Sequence, residues 1–301
     1  MMNNEPMISV LMGVYNTRQS DLETSIETIL NQTYSDFEFI IINDGSTNNA
    51  EDVILSYKDD RIRYYKNETN MHIIASMNKG LKLCRGKYIA RMDSDDFCDT
   101  TRLEKQVNFM ESHPEIGVLG TYFQRVFTGE NRTFMPLNPP DIKLYQRYVR
   151  GCIANQTSMI RHSVLTENNI IYDKNCKYAE DHKMWADLTY VTDFAVLPEV
   201  LVYVRNHPDG VSLANFAYQC KMSRLINLDN IIRDFSDSNK YLYGILKKFV
   251  QNTPLSRQEF VDFKDFLGDV GDYLEKQITP PFNQDVKSRL LRIMNDFKVE
   301  L

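Results

Sequence analysis

The segment "GKYIARMDSDDF", residues 86 to 97, places three carboxylates, Asp93, Asp95 and Asp96, directly after an apolar run. Side chains alternate across an extended strand, so Asp93 and Asp95 are expected on one side and Ser94 and Asp96 on the other. Two carboxylates converging on one point suit a hard divalent cation with oxygen ligands, Mg2+ or Mn2+. The same acids also fit a solvated loop capping a helix expected from about Thr101, and an isolated Asp-x-Asp favours that simpler reading. A calcium hand is excluded, because the fifth and sixth loop positions are Phe97 and Cys98 instead of an oxygen ligand and glycine.

Other residues shift the balance toward a ligand. Arg91 precedes the acids, and "NDGST" sets Asp44 at a second strand end, where a carboxylate accepts from a ribose hydroxyl or a base N–H. Gly45 there also reads as an ordinary turn residue. Tyr15 and Asn16 close a first strand, and an aromatic face can carry a base. Together the three loops favour a nucleotide whose phosphates are bridged by metal.

The elements that must position these residues follow from periodicity. "MISVLMGVY" reads as a buried strand, the spacing of Leu22, Ile26, Ile29 and Leu30 predicts a helix, and "FEFIIIN" gives a second strand. The cycle repeats through a helix near 48 to 58, "RIRYY", a helix over Ile74, Met77 and Leu81, and "KYIAR". Strands separated by single helices pair in parallel with right-handed crossovers. The fold class is therefore α/β, a doubly wound, Rossmann-like sheet in the order 3-2-1-4, with ligands outside the carboxyl ends of the strands. Residues 100 to 212 alternate helix and short strands, with "MPLNPPD" as a polar loop and "FAVLPEVLVYVRNH" strand-like. Beyond Ser212 the pattern is helical only, over 214–236, 239–250, 256–278 and 283–299.

Composition bounds the partners. A formal net charge of −6 argues against a dedicated nucleic-acid binder, so no nucleic acid is expected as a partner. Five widely spaced cysteines form neither a zinc motif nor a small disulfide framework, which fits a reducing compartment. The first ten residues have no signal-peptide pattern and no run of 18 apolar residues occurs, so the expected location is cytoplasmic. Membrane contact is expected to be peripheral at most, through cationic positions such as Lys221, Arg224 and Arg233, which also read as a solvated helix face.

In this order, "ISVLMGVYN", "SIETILNQTYSDFEFIIINDGST", "ASMNKGL", "GKYIARMDSDD" and "RLEKQVNFM" resemble the family 2 glycosyltransferases of the GT-A fold, over roughly residues 7 to 212. The resemblance implies a mixed, mainly parallel sheet flanked by helices, with a glycosyltransferase domain at 1–212 and a helical extension at 213–301. It also implies inverting transfer of a sugar from a nucleotide diphosphate sugar, a UDP-sugar in the first instance, to an acceptor hydroxyl. In bacterial relatives such acceptors are saccharides or lipid-linked saccharides of cell-surface polysaccharide synthesis.

By position, the resemblance implies that Tyr15 and Asp44 hold the base and Asp93 the ribose, that Asn16, Asn78 and Arg91 support the pocket, and that Asp95 coordinates the metal. Asp96 would face the sugar or cap the following helix. "AEDHKMW" matches the family's second acidic motif, with Asp181 as general base, Glu180 orienting it or touching the acceptor, and Trp185 packing the helix or lining the acceptor groove. Without the resemblance, two acids at a helix start read as partners of the helix dipole. A histidine closing the core is implied as a further metal ligand, here His207. His72, Met77 and Gln156 depart from the family's usual glycine, arginine and histidine.

An aspartyl-nucleophile phosphatase would carry its Asp-x-Asp after the first strand, and a nucleotidyltransferase would carry a Gly-rich basic loop there; "GVYNTRQ" is neither. The non-enzyme rival is a nucleotide- or saccharide-binding subunit of the same fold. The helical tail is expected to pack structurally, with homodimerisation or membrane docking as further roles.

Overall fold

The structure is a computed structural model and describes residues 5–132, 138–205, 214–236 and 240–299. Four parallel strands, β1 (Ile8–Val14), β2 (Phe37–Asn43), β3 (Ile62–Lys66) and β4 (Tyr88–Asp93), are joined by α1 (Gln19–Leu30), α2 (Ala50–Ser56) and α3 (His72–Leu83). They lie in the order β3-β2-β1-β4, as the βα alternation requires. Every residue of β2 is buried, because helices cover both faces of the sheet. The period of two divides β1: Ile8, Val10 and Met12 pack with Leu22, Ile26 and Ile29 of α1, while Leu11 packs with Ile74, Met77 and Leu81 of α3. At Gly80 a Cβ would lie 2.3 Å from Leu11 Cδ1, so a larger residue would hold α3 off the sheet.

The second half of the sheet is mixed. β5 (Phe97–Cys98), α4 (Arg102–Ser112), β6 (Ile116–Arg125), β7 (Asn131–Arg132), α5 (Pro139–Tyr148), β8 (Met159–Arg161), α6 (His162–Glu167), α7 (Glu180–Leu188) and β9 (Asp193–Val204) follow in the chain. β8 is antiparallel to β4 and β6, β9 runs parallel to β6, and β5 returns antiparallel to the end of β9. Leu197 pairs with Thr121 and Val200 with Tyr122, so Pro198 and Glu199 bulge out of the ladder. Proline has no N–H to give the ladder, and the bulge bends β9. The bend delivers Arg205 to the turn that carries Asp95 and Asp96.

Of the C-terminal helices α8 (Phe216–Phe235), α9 (Lys240–Val250), α10 (Arg257–Gln277) and α11 (Val286–Arg292), α8 packs on α5 and α7, α9 on α8 and α10, and α11 on α10. Leu228, Ile231, Ile245, Phe263 and Leu267 share one core with Tyr145, Trp185 and Leu188. No helix among the described residues is long and apolar enough to cross a membrane. Three elements were not apparent from periodicity. α5 begins inside the stretch read as a loop, because the Asn138 side chain accepts from the Asp141 N–H and Pro139 and Pro140 fill the first helical positions. α6 and β5 are too short to display a period.

Candidate active site

The carboxyl ends of β1 and β2 are stapled to each other. Asn16, at φ 52°, donates its N–H to Ser46 Oγ at 3.0 Å and accepts the Thr47 N–H on Oδ1 at 2.8 Å. Gly45, at φ +69°, makes the turn; a Cβ there would lie 2.6 Å from the Thr69 carbonyl carbon. Asp44 is buried, and its Oδ1 accepts from Asn67 Nδ2 and the Met71 N–H, both at 2.8 Å. One carboxylate oxygen thus ties the loop after β3 to the end of β2. Tyr15 is half exposed beside these loops.

The acid turn differs from its expected form. β4 stops at Asp93, and the Asp96 N–H turns back to the Asp93 carbonyl at 3.4 Å, so alternation ends before Asp95. Asp96 does not cap α4; the Leu103 N–H of its first turn goes to Gln32 Oε1 at 2.9 Å, while Asp99 holds the preceding Thr101 through its N–H at 2.8 Å and its hydroxyl at 2.6 Å. Asp96 is buried and accepts the Arg205 N–H at 2.8 Å. The Arg205 guanidinium donates to the Asp95 carbonyl at 2.9 Å, sits 3.5 Å from Asp21 Oδ1 and stacks 4.8 Å from the Phe97 ring centre. Beneath the turn, buried Arg91 donates to the Leu11 carbonyl and reaches Asp93 Oδ1 at 3.4 Å.

These residues fit a divalent cation on the chemistry of the donor set. Burial, then the charges of Asp93 and Asp95, push the Asp96 carboxyl up to about 9. Carboxylates close enough to raise one of their number form an all-oxygen donor set of the kind a hard cation takes. Among the described residues no three His, Cys, Asp or Glu side chains form a complete metal site. His207, expected as a ligand, lies outside the described residues.

The second acidic pair opens α7, after Tyr178 at φ 65°. A helix dipole alone would lower both carboxyls, yet both are raised. Glu180 is pushed up to about 7 by burial and by the Asp181 charge, opposed by backbone N–H groups and Arg91. Asp181 is raised by burial and by Asp93, and lowered by the His182 N–H and Arg91. Arg91 therefore acts on both acid groups, and Asp93 on Asp181. Glu180 Oε2 and Trp185 Nε1 are buried without a hydrogen-bond partner. Trp185 is buried in the core while also lining, with Asp181 and His182, a cleft of about 220 Å³ between α7, the turn at 150–154 and α8.

Asn78 has a different task from direct pocket contact. Its amide clasps Tyr172, donating to the carbonyl at 2.8 Å and accepting the N–H at 2.9 Å. Tyr172 is fully buried, with Arg91 and Asp181 both bearing on its hydroxyl, so Asn78 positions a wall of the site. Tyr172, Arg150 and His182 were not identified from the sequence; each stands alone in its segment, with no spacing to mark it.

Acids and a loop-held carboxylate at the carboxyl ends of a curled α/β sheet, with a second acidic pair that feels Arg91 and Asp93, define a GT-A-fold glycosyltransferase. The chain matches the model of "Glycosyl transferase family 2" over residues 9–168 and belongs to that family. It is 34% identical to an uncharacterized glycosyltransferase of Haemophilus influenzae, covering 76% of this chain and 75% of that one. It is 29% identical to the Escherichia coli UDP-Glc:alpha-D-GlcNAc-diphosphoundecaprenol beta-1,3-glucosyltransferase WfaP, over 73% of this chain and 85% of that one. Its fold superposes on Staphylococcus aureus TarS in complex with UDP with a TM-score of 0.63 at 17% identity, covering 96% of this chain and 88% of that one.

Proposed function

We propose that the protein is an inverting, metal-dependent glycosyltransferase that moves a sugar from a nucleotide diphosphate sugar, a UDP-sugar first, to a saccharide hydroxyl. The observation that carries this reading is the pairing of electrostatic environments across Arg91: Asp93 on the donor side and the raised Glu180–Asp181 pair on the other. Two acid groups that influence each other's protonation across a shared cation fit a donor on one side and a proton acceptor on the other. The activity that names WfaP supports a UDP-sugar donor and a lipid-linked sugar diphosphate acceptor, and with it a role in cell-surface polysaccharide synthesis.

Tyr15 and Asp44 hold the base, Asp93 the ribose, and Asn16 and Arg91 support the pocket. Mg2+ or Mn2+ held by Asp95, with His207 as a second ligand, would offset charge on the departing diphosphate. Asp181 takes the proton from the acceptor hydroxyl as that oxygen bonds to the anomeric carbon. The bond from that carbon to the diphosphate oxygen breaks, and its electron pair leaves with the nucleoside diphosphate. A single displacement from the opposite face inverts the anomeric centre. Glu180 orients Asp181, and Trp185 packs α7 and walls the acceptor cleft.

General-base assistance contributes roughly 10²- to 10⁴-fold. Asp181→Asn is therefore expected to lose that much turnover, measured as nucleoside diphosphate release, while donor affinity stays near parental. Parental turnover in that variant refutes the base assignment, and tight donor binding by the wild type with no turnover on any acceptor returns the protein to a binding role.

A further inference from the structure

The cleft beside Asp181 contains an arginine that the transfer step does not use. Arg150 lies on the turn after α5, with its guanidinium 5.8 Å from the Tyr145 ring centre. Its Nε is buried without a partner. Among the described residues no carboxylate pairs with it, and neither terminal nitrogen is taken by a hydrogen bond. The other arginines around the sheet are engaged: Arg61 with Asp59, Arg63 and Arg85 with Glu38, Arg91 with Asp93, Arg147 with Asp234. A partly buried guanidinium with no counter-charge is costly, and an anion brought to it recovers that cost.

Further donors surround the same space. Trp185 Nε1 is unpartnered at the cleft wall, and Gln146 Nε2 is buried and unpartnered behind Gly151. Gln219 and Ser223 of α8 line the opposite side. One group is of the other sign. Asn227 Nδ2 donates to the Val149 carbonyl at 3.0 Å, which turns its Oδ1 toward His182 Nε2 at 2.9 Å. That oxygen can only accept, so His182 carries its proton on Nε2 and presents a bare Nδ1 beside the turn. Burial lowers the His182 pKa to about 4, so the ring stays neutral. A Cβ at Gly151 would lie 3.9 Å from both His182 Nδ1 and Gln146 Nε2, and glycine leaves that space open.

We propose that this cleft is an acceptor subsite for a phosphate-bearing saccharide, in which Arg150 binds a phosphate oxygen and His182 Nδ1 accepts a sugar hydroxyl. Donors on three separate elements suit a group with several oxygens around one centre, and a guanidinium matches phosphate oxygens in pairs. The C-terminal extension then has a task beyond packing: α8 supplies one wall of the subsite and, through Asn227, sets the tautomer of His182. Calling the saccharide the acceptor rests on the transfer reading above; the binding itself does not.

Trp185 is the only tryptophan in the chain, so its fluorescence reports on this cleft directly. The probes are an alkyl N-acetylglucosaminide, N-acetylglucosamine 1-phosphate, and N-acetylglucosamine joined through a diphosphate to an alkyl chain, each titrated with UDP and Mn2+ present. Saturable emission changes are expected with the phosphate-bearing probes and not with the neutral glycoside. A response to both phosphate probes makes phosphate the determinant, and a response to the alkyl diphosphate alone assigns the source to a lipid-linked sugar. Arg150→Gln is expected to weaken that binding roughly 10- to 100-fold, the size of a lost charge-assisted hydrogen bond, and Arg150→Lys less. Gln219→Glu, which sets a negative charge in the cleft without touching Arg150, is expected to weaken the phosphate probes too. The proposal is overturned if the neutral glycoside binds as tightly, if Arg150→Gln and Gln219→Glu both keep parental affinity, or if no phosphate probe alters the emission. Arg150-dependent binding without sugar transfer from any donor would sink the transfer reading and leave the subsite standing.

Discussion

Glu180→Gln is expected to stabilise the protein above neutrality while slowing it. Burial and the neighbouring Asp181 charge move the Glu180 carboxyl from its ordinary 4.5 to about 7. The folded state therefore keeps a proton that the unfolded chain releases, and stability is lost as pH rises from about 4.5 through about 7. Each pH unit of that displacement is worth about 1.36 kcal/mol, so the ionised side chain costs the fold about 3 kcal/mol at pH 8 and under about 1 kcal/mol at pH 5. Glutamine has nearly the same volume and no charge, and forfeits only about 0.5 kcal/mol of favourable helix-dipole interaction. Urea unfolding of both proteins at pH 5 and pH 8 measures the difference. The variant is expected to gain about 2–3 kcal/mol over the parent at pH 8 and close to nothing at pH 5. Equal stability at pH 8, or the same gap at both pH values, refutes the reasoning. The turnover lost in the same variant measures what the strained carboxylate supplies to Asp181, an exchange of stability for function.

Asp95→Ala is expected to weaken nucleotide binding in Mg2+ or Mn2+ and to leave binding in a chelator unchanged; calorimetry showing parental affinity with metal would refute the metal role. Asn78→Ala strands both the N–H and the carbonyl of Tyr172, at about 1–3 kcal/mol each when buried. Urea unfolding is expected to show a loss of about 2–6 kcal/mol, and a loss below about 0.5 kcal/mol would refute the clasp. Gly45→Ala meets both a left-handed backbone and a contact of 2.6 Å with Thr69. It is expected to cost about 2–4 kcal/mol and to lower donor affinity, because the turn it distorts carries Asp44.

The strand order of the first half was legible because each strand is an unbroken apolar run and each crossover a single amphipathic helix, a pattern that leaves one topology. The acid turn was legible in composition and misread in geometry. Alternation was carried past Asp93, where the chain in fact turns, and of the two roles expected for Asp96, facing the sugar or capping the next helix, the cap goes instead to Gln32 Oε1. Such errors are local, since turn geometry depends on what the turn meets, here Arg205 delivered by a strand about 110 residues later. Asn78 was expected to support the pocket, and the partner through which its amide acts, the Tyr172 backbone, was not legible, because a short amide serves a ligand and a backbone equally well in sequence.

What no local pattern reveals is where the fold leaves polar groups without partners. Among the described residues seven buried side-chain atoms are unpartnered, and five of them, on Arg91, Gln146, Arg150, Glu180 and Trp185, belong to the acid pair, the cation between the acids and the surroundings of the cleft beside Asp181. The other two, Asn283 Oδ1 and Arg289 Nε, lie in the C-terminal helical segment. These five residues lie on β4, α5, the turn after it and α7, so only the closed sheet and the helices packed on it bring them together. Unsatisfied donors and a raised carboxylate concentrated in one place, beside a cleft, are what the proposed site requires if substrate supplies the missing partners.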